Sequence, residues 1–366
     1  MILFGNYQLA PCNIWSDENC SEYSIYPECY SHPCISISEF ASNLSDYLHP
    51  CTHLILQSGN HTLNSPFVFA HIETLSLSTN FSSTTIVCVN QSITIGFEHV
   101  SNVHIDGVTF ITCKTFVNSS KNFTLENSSY FGMNMTGTAL FSVNTTAYLS
   151  NCSFTQFHGT QFTNAIIGGA IIISRSTFHM YECILEENGA HRGGALFLGQ
   201  NSSLLLLYCM INDNHDHPSP LRNILTRGGA ILVCHGCHIT VTNSTFTNNT
   251  AIQGGVLYLE GLFITVDVML SNNTFSQNSG QYGGVFYARF QNINVYNSYF
   301  INNTARYYGG VFYSYKANIR IDRSNFVNST ARSRGGVLYA TDTNASMDTS
   351  VFTHNTANRG GVFLCF

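Results

Sequence analysis

The sequence predicts an all-β protein, a right-handed parallel β-helix built as a solenoid of about ten coils. Three observations carry this prediction: a recurring Gly-Gly pair, an apolar pattern that recurs with it, and a low content of charged residues. The first glycines of the pairs are Gly168, Gly193, Gly228, Gly254, Gly283, Gly309, Gly335 and Gly360. A period of this length is the signature of one supersecondary unit stacked on copies of itself.

An alternating apolar pattern accompanies the glycine pairs and predicts the interior. A phenylalanine recurs in five coils: Phe246, Phe275, Phe300, Phe326 and Phe352. Apolar residues precede it by five and seven positions, as Val241 and Ile239 precede Phe246. Side chains alternate across a strand, so these residues should face inward. Three residues after the phenylalanine come Asn249, Asn278, Asn303, Ser329 and Asn355. Buried amides must be paired, so we expect a ladder of stacked asparagines.

Charged residues make up only 9% of the chain, against about 25% in ordinary globular domains. Stacking accounts for the deficit. Equivalent residues of neighbouring coils lie about 4.8 Å apart, so a charge copied from coil to coil would face itself, which is destabilising. The net charge of −6 argues against a nucleic-acid partner. No apolar run is long enough to predict a membrane span within this chain.

Two regions differ in composition. Residues 1–51 are rich in cysteine and should form a small disulfide-rich N-terminal cap, whereas residues 52–366 should form the β-helix, with regular repeats from about residue 150. The segment from Ser36 to Pro50 begins with a capping-box pattern and predicts a short helix. The alternative for the cap is a loose disulfide-rich loop. We expect the C-terminus to be truncated, because Phe366 lies within a repeat and an uncapped coil exposes strand edges.

Glycosylation sequons and cysteines predict a secreted or cell-surface glycoprotein. The sequons are dense, and the candidate acceptors are Asn60, Asn90, Asn122, Asn144, Asn201, Asn248, Asn302 and Asn328. The alternative is that a chain rich in Asn, Ser and Thr produces sequons by chance.

The spacing of the cysteines predicts bridges between coils. Cys88 and Cys113 are one coil apart, as are Cys183 and Cys209, and stacked residues lie within disulfide range. The candidates for disulfides are Cys88, Cys113, Cys152, Cys183, Cys209, Cys234 and Cys237. The alternative for the stacked positions is a reduced, buried column of small side chains. For Cys234 and Cys237 we expect a local loop disulfide, because zinc would require a second pair of ligands.

The repeat motifs also resemble those of a known family. Gly168–Ile171 and Gly228–Ile231, combined with Phe246–Asn249, Phe300–Asn303 and Phe352–Asn355, resemble the paired GGAI and FxxN motifs of chlamydial polymorphic outer membrane proteins. Similar repeats occur in secreted right-handed β-helix proteins of invertebrates. The resemblance covers roughly residues 150–366. It implies a surface-exposed β-helix whose usual role is adhesion, and the sequons and cysteine-rich cap favour a eukaryotic secreted version.

One column of residues is a candidate binding site. The residue before each glycine pair, apart from the first, is Arg192, Arg227, Gln253, Tyr282, Tyr308, Arg334 or Arg359. On a solenoid these residues should form a vertical stripe. Arginine binds carboxylate and sulfate through two hydrogen bonds, and tyrosine offers an aromatic face to a sugar ring. The hypothesis is that the stripe binds an acidic glycan or a protein partner. The alternative is a set of exposed loop residues that stack on one another.

Two other clusters could carry chemistry. Asp322 and Asp348 occupy equivalent positions in neighbouring coils, with Arg320 and Arg323 nearby. Sugar-cleaving enzymes require convergent carboxylates, although a surface ion-pair cluster is the simpler interpretation. A longer repeat interval holds an insertion with Asp213, His215, Asp216 and His217. This set could bind a metal, but we interpret it as a solvated loop.

These observations favour a non-enzymatic extracellular or cell-surface scaffold, with a role in adhesion or in glycan or protein recognition. The alternative function is that of a pectate-lyase-like polysaccharide lyase or a glycoside hydrolase. A purely structural spacer is a third interpretation. No cofactor and no metal are predicted.

Overall fold

A computed structural model describes residues 10–12, 20–25, 51–79, 84–162, 165–215, 225–261 and 266–366. Within these ranges every regular element is a β-strand. The predicted helix after Ser36 and most of the predicted cap lie outside the described residues. The chain divides into two compact units, which comprise residues Met1–Met133 with Ala139–Ser153 and residues Asn134–Thr138 with Phe154–Phe366.

Unit 1 contains three sheets, in which each turn of the chain contributes one strand to each sheet. The strands of its first sheet are Ala10–Cys12, Cys20–Ile25, Cys51–Leu56, Thr74–Thr79, Asn102–Asp106, Asn122–Glu126 and Thr146–Ser150. Those of its second sheet are Gly59–Leu63, Thr84–Cys88, Thr109–Ile111 and Ser129–Met135. Those of its third sheet are Phe67–Ala70, Thr94–Glu98, Lys114–Asn118 and Leu140–Val143. Among the described strands of this unit, the first two of the first sheet pair in antiparallel fashion and the others pair in parallel.

Unit 2 has four sheets of parallel strands, named A to D here. Sheet A contains Thr177–Tyr181, Ser203–Leu207, His238–Thr242, Asp267–Ser271, Asn292–Tyr296, Asn318–Asp322 and Asn344–Asp348. Sheet B contains Ser153–Phe157, Ile184–Glu186, Met210–Asn212, Thr245–Thr247, Thr274–Ser276, Tyr299–Ile301, Asn325–Val327 and Val351–Thr353. Sheet C contains Ile171–Ser174, Leu196–Leu198, Ile231–Val233, Leu257–Glu260, Phe286–Arg289, Phe312–Tyr315, Leu338–Thr341 and Phe363–Cys365. Sheet D contains Thr250–Gln253, Ser279–Tyr282, Thr304–Tyr308, Thr330–Arg334 and Thr356–Arg359. Thr160–Phe162 and Ala165–Ile167 form a separate antiparallel pair.

The phenylalanines of sheet B form a single column, as the repeat predicts. Phe246, Phe275, Phe300, Phe326 and Phe352 are paired in register on successive coils. Their ring centroids lie 4.9, 4.9, 4.6 and 4.9 Å apart in chain order, with nearly parallel planes. Stacked rings add about 0.5–1.5 kcal/mol per pair beyond their burial. The predicted parallel β-helix is therefore confirmed.

The predicted asparagine ladder is present at the bend after sheet B. The buried amides of the ladder are Asn188, Asn214, Asn249, Asn278 and Asn303. The side-chain nitrogen of Asn249 donates to the amide oxygen of Asn278 at 3.1 Å, and also to the backbone oxygen of Ile211 at 2.8 Å. Asn278 donates to Asn303 in the same way. The ladder is interrupted at Ser329, whose hydroxyl is buried and has no hydrogen-bond partner among the described residues.

The glycine pairs are required by two different constraints. Gly309 has a φ of +68°, a conformation that favours glycine. Gly310 packs against the next coil so closely that an added Cβ would lie 2.0 Å from the backbone oxygen of Gly336. This close approach brings the chain from sheet D into sheet C and places the residue before each pair on the outer surface.

One of the predicted disulfides is present. Cys88 and Cys113 are bonded, with their Cα atoms 5.1 Å apart, and they join neighbouring coils of unit 1. The prediction that stacked cysteines connect coils is confirmed for this pair.

The other candidate cysteines are thiols in the structure, so the bridges expected there are a correction to the sequence analysis. The Sγ atoms of Cys183 and Cys209 each approach the backbone oxygen of the residue two positions earlier, at 3.4 Å in both cases. Cys152 makes the same contact, at 3.2 Å. Ser244 and Ser298 occupy the equivalent position in later coils and donate their hydroxyl hydrogens likewise. A thiol can therefore make the same contact as these serines, whereas Asn273, at this position in the coil between them, donates to the backbone oxygen of Val241 in the preceding coil.

Cys234 and Cys237 also form no disulfide with each other in the structure. The Sγ atom of Cys237 approaches the backbone oxygen of Gly199 at 2.7 Å. Burial raises the pKa of Cys234 to about 12 and that of Cys237 to about 11. Both groups therefore remain protonated thiols near neutral pH, which disfavours the nucleophilic thiolate.

Candidate binding surface

The predicted stripe exists as a continuous column on unit 2. Its members are paired in register on successive coils: Arg192, Arg227, Gln253, Tyr282, Tyr308, Arg334 and Arg359. The later members end the strands of sheet D. Arg359 is exposed, and the other six are partly buried.

A second aromatic column, which we call the tyrosine ladder, lies beside the stripe on sheet C. It consists of Tyr258, Tyr287, Tyr313 and Tyr339, whose ring centroids are 5.1, 4.7 and 5.4 Å apart in chain order. The sequence analysis did not identify this column. Its signal is a tyrosine four residues after the first glycine of the pair in four successive coils.

Stripe side chains cover the tyrosine ladder. The guanidinium carbon of Arg227 lies 5.0 Å from the centroid of Tyr258. The Tyr308 ring stacks on Tyr339, with their centroids 4.8 Å apart. As a result Tyr258 is only 4% exposed although it points away from the solenoid interior. The stripe is therefore an ordered surface that packs on its own small hydrophobic cluster.

Burial in this cluster affects the phenol groups. It raises the pKa values of Tyr258 and Tyr287 and raises the pKa of Tyr313 to about 12. The phenols of Tyr258, Tyr287 and Tyr313 are neutral at physiological pH and supply aromatic faces and hydroxyl groups. They do not supply negative charge to the neighbouring arginines.

The two ends of the stripe differ in charge. Near its beginning, Arg227 forms an ion pair with Glu260, with an N–O distance of 3.4 Å. Near its other end lie four arginines, which we call the arginine cluster: Arg306, Arg332, Arg334 and Arg359. Among the described residues, no carboxylate forms an ion pair with any of the four.

The arginine cluster contains two pairs of stacked like charges. Arg334 and Arg359 are paired in register. Arg306 and Arg332 directly follow Ala305 and Ala331, which are also paired in register, and both arginines are exposed. Parallel neighbours lie about 4.8 Å apart along the axis, so each arginine has a like charge in the next coil.

The predicted carboxylates lie on a different face, the outer surface of sheet A. Asp322 and Asp348 are paired in register. A depression of about 420 Å³ is lined by Arg320, Asp322 and Tyr296, among others. Arg323 forms an ion pair with Asp322 at 3.8 Å and donates a hydrogen bond to the Tyr296 hydroxyl at 2.6 Å. This depression holds one carboxylate and one arginine, and Asp348 is not part of its lining.

The structure describes only part of the insertion. Asp213 accepts a hydrogen bond from the side chain of Asn248, and His215 lies with its ring 6.5 Å from that of His158. Asp216 and His217 lie outside the described residues. Within the part of the chain that the structure describes, no three His, Cys, Asp or Glu side chains come together as a metal site.

The candidate glycosylation sites are all accessible. The eight sequon asparagines are exposed: Asn60, Asn90, Asn122, Asn144, Asn201, Asn248, Asn302 and Asn328. In the Asn-Asn-Thr repeats the first asparagine, such as Asn302, is exposed, and the second, such as Asn303, is buried in the ladder. Glycosylation itself stays a prediction.

No helix among the described residues has the length and hydropathy needed to cross a bilayer.

Comparison with solved structures finds several β-helix proteins at low identity. The Dettilon tailspike protein is 12% identical with a TM-score of 0.39, and the match covers 91% of this chain and 69% of the tailspike. The A-module of the Azotobacter vinelandii mannuronan C-5 epimerase AlgE4 is 8% identical, with a TM-score of 0.40 and coverages of 86% and 91%. The Streptococcus pneumoniae surface protein and adhesin PfbA is 8% identical, with a TM-score of 0.35 and coverages of 90% and 95%.

No curated protein matches the sequence significantly. Residues 84–267, just over half of the chain, match the family model described as the right-handed β-helix region. This match agrees with the parallel coils and the in-register columns described above. The chain therefore belongs to the right-handed β-helix family.

Proposed function

We propose that the protein is a non-enzymatic recognition scaffold, located outside the cell or at its surface, that binds a glycan or protein partner through the stripe. The observation that carries this proposal is the arginine cluster, in which like charges are stacked without a described carboxylate partner. An external anion would neutralise them.

The repeat makes stacked charges energetically unfavourable. In a chain with 9% charged residues, most positions avoid the repulsion that stacking imposes. Like charges directly opposite each other on neighbouring strands are destabilising. The arginine cluster keeps this unfavourable arrangement in two columns at once. Binding a carboxylate or sulfate group, with which a guanidinium makes two parallel hydrogen bonds, would offset the repulsion.

The extracellular location is part of the proposal. The Cys88–Cys113 disulfide is typical of an oxidising compartment. The exposed sequons are accessible to glycosylation if the chain is secreted. The GGAI and FxxN motifs support the further proposal that the repeats are of the polymorphic outer membrane protein type, in which adhesion is the usual role.

A polysaccharide lyase or glycoside hydrolase is the second candidate. The observation that favours it is the depression on sheet A, where Arg320 and Asp322 lie together. Glycoside hydrolysis needs two carboxyl groups that flank the scissile bond. The decisive assay incubates the protein with uronate polysaccharides and with neutral glucans, and measures reducing ends and unsaturated products. Activity that Asp322→Asn abolishes would replace the recognition proposal.

The test of the recognition proposal is a binding screen with matched variants. The wild-type protein is applied to a glycan array and to extracellular proteins, and the same ligands are measured with Arg334→Ala/Arg359→Ala. We expect the double variant to lose at least tenfold in affinity. Arg320→Ala is the control, because it removes an exposed arginine from sheet A. Binding that depends on Arg320 and is unchanged in the double variant would contradict the proposed role of the stripe.

A further inference from the structure

The stripe is not uniform along its length, and this difference locates the charged part of the site. Arg227 is neutralised by Glu260 and lies over the Tyr258 ring. Gln253 and Tyr282 carry no charge. Arg192, at the beginning of the stripe, has no ion pair among the described residues, but its in-register neighbour Arg227 does. From Arg306 onward several arginines without a described counter-ion lie close together, over the coils that contain the arginine cluster.

We propose that the arginine cluster, and not the whole stripe, binds a linear acidic polysaccharide whose chain runs along the coil axis. This inference rests on the proposed recognition function and deepens it. The cluster consists of two columns of two arginines each, which together place positive charge on three successive coils. A polymer with a carboxylate or sulfate on successive sugars presents its charges in the same way.

Aromatic rings border the cluster on the side of the tyrosine ladder. The guanidinium carbon of Arg306 lies 5.4 Å from the centroid of Tyr307, and that of Arg334 lies 5.6 Å from the centroid of Tyr308. Both rings are partly exposed, but the Tyr308 ring already stacks on Tyr339 and lies under Arg334, so Tyr307 is the ring offered to a ligand. A partly exposed aromatic ring can stack on the apolar face of a sugar while neighbouring guanidinium groups bind its acidic substituent.

An acidic peptide is the alternative occupant. An extended peptide rises 3.2–3.4 Å per residue and alternates its side chains, so charges on one side are about 6.4–6.8 Å apart, whereas the coils repeat at about 4.8 Å. Each arginine column holds only two residues, so spacing alone does not separate a peptide from a polysaccharide, and the poly-glutamate probe below does. The feature that favours the polysaccharide is the partly exposed ring of Tyr307 beside Arg306, because such a ring can stack on the apolar face of a sugar.

The experiment measures fluorescence anisotropy with four labelled probes: an alginate oligosaccharide, a heparin oligosaccharide, a dextran oligosaccharide and a poly-glutamate peptide. The variant is Arg306→Ala/Arg332→Ala, which removes two exposed arginines that are not stripe residues. The matched control is Arg320→Ala/Arg323→Ala, which removes two exposed arginines from the sheet A face. Circular dichroism checks that each variant is folded. A further variant, Arg306→Lys/Arg332→Lys, keeps the positive charge but cannot make the two parallel hydrogen bonds of a guanidinium to one anion.

We expect the wild-type protein to bind at least one acidic oligosaccharide, to ignore dextran, and to lose affinity as salt is added. Arg306→Ala/Arg332→Ala should weaken binding at least tenfold, the lysine variant less so, and the control less than twofold. Undiminished binding by Arg306→Ala/Arg332→Ala overturns the inference. Equal or tighter binding of poly-glutamate also overturns it and identifies an acidic protein segment as the ligand class, in which case the recognition function stands.

Two further outcomes show whether the inference fails alone or together with the proposed function. If no acidic oligosaccharide binds but the screen finds a ligand sensitive to Arg334→Ala/Arg359→Ala, the polysaccharide is wrong and the recognition surface stands. If neither experiment finds a ligand, both proposals fail.

Discussion

The guanidinium carbon of Arg334 lies 5.6 Å from the centroid of the Tyr308 ring, and the two residues are paired in register on neighbouring coils. Phe366, which the sheet register places at the position of Glu260 beside Arg227, also contacts Arg334, with its ring centroid 5.8 Å from the guanidinium carbon. A cation over an aromatic face is stabilised without being neutralised. Arg334 is thus held in position and keeps its charge for a ligand.

The first prediction concerns this contact. A double-mutant cycle of Arg334→Ala and Tyr308→Ala should give a coupling free energy of about 0.5–1 kcal/mol in unfolding, the usual value for an exposed cation–π pair. The measurement is urea denaturation of the wild type, both single variants and the double variant. A cycle of Arg332→Ala with Tyr308→Ala is the control and should give coupling near zero. Equal coupling in the two cycles would show that the Tyr308 ring does not position Arg334.

The second prediction uses the interruption of the asparagine ladder. Ser329→Asn should stabilise the protein by about 0.5–1.5 kcal/mol, because the new amide can hydrogen-bond the coils on either side, as Asn278 and Asn303 do. The serine hydroxyl is buried without a partner among the described residues, so its loss costs little. Denaturant unfolding measures the change.

The matched control for the ladder is Asn303→Ser, which creates a second interruption. It should lower the free energy of unfolding by about 1–3 kcal/mol, because Asn278 then loses the acceptor of its side chain and backbone amide. If Ser329→Asn destabilises the protein as much as Asn303→Ser does, the site does not accommodate an amide and the ladder argument is wrong there.

The third prediction concerns the cysteines. Reduction of Cys88–Cys113 should lower the free energy of unfolding by about 3–4 kcal/mol, given the 25-residue separation of the bonded cysteines. The measurement is unfolding with and without reductant. A Cys88→Ala/Cys113→Ala variant should not respond to reductant.

Thiol mapping by mass spectrometry checks the remaining cysteines. Alkylation of the native protein should modify the exposed Cys365 and should leave Cys183 and Cys209 unmodified until the protein unfolds. A hydrogen bond with Cys183 and burial raise the pKa of Cys209, so its thiolate is scarce. A linked peptide that contains both Cys183 and Cys209 would show that these thiols oxidise after all.

The fourth prediction is a loss of stability at high pH. Burial raises the pKa of Tyr313 to about 12, from 10 in the unfolded chain. As the pH rises, the Tyr313 phenol therefore loses its proton in the unfolded chain before it does so in the folded protein. The stabilisation that the buried neutral phenol provides is complete below pH 10 and is lost as the pH rises towards 12. Tyr258 and Tyr287 shift in the same direction. Thermal unfolding between pH 8 and pH 12 measures the effect, and Tyr313→Phe should reduce the slope above pH 10. A slope unchanged in Tyr313→Phe would assign the loss to other groups.

The sequence predicts the columns of the interior because each depends on one repeated position. Phe300 stacks on Phe275 and Phe326 wherever the coils stay in register, and the glycine pairs fix that register. The residues of the stripe are predictable from the sequence for the same reason. The cysteines were harder to predict, since the same one-coil separation yields a disulfide at Cys88–Cys113 and two thiols at Cys183 and Cys209.

The sequence by itself determined the right-handed β-helix, the phenylalanine and asparagine columns, and the identity of the residues in the stripe, because stacking makes every repeated position a vertical neighbour of its copy. Only the tertiary structure decided which stripe residues keep their charge. That depends on how the chain turns at each glycine pair and folds the end of sheet D over the tyrosine ladder, so that Arg227 forms an ion pair with Glu260 whereas Arg334 lies over two aromatic rings, Tyr308 and Phe366.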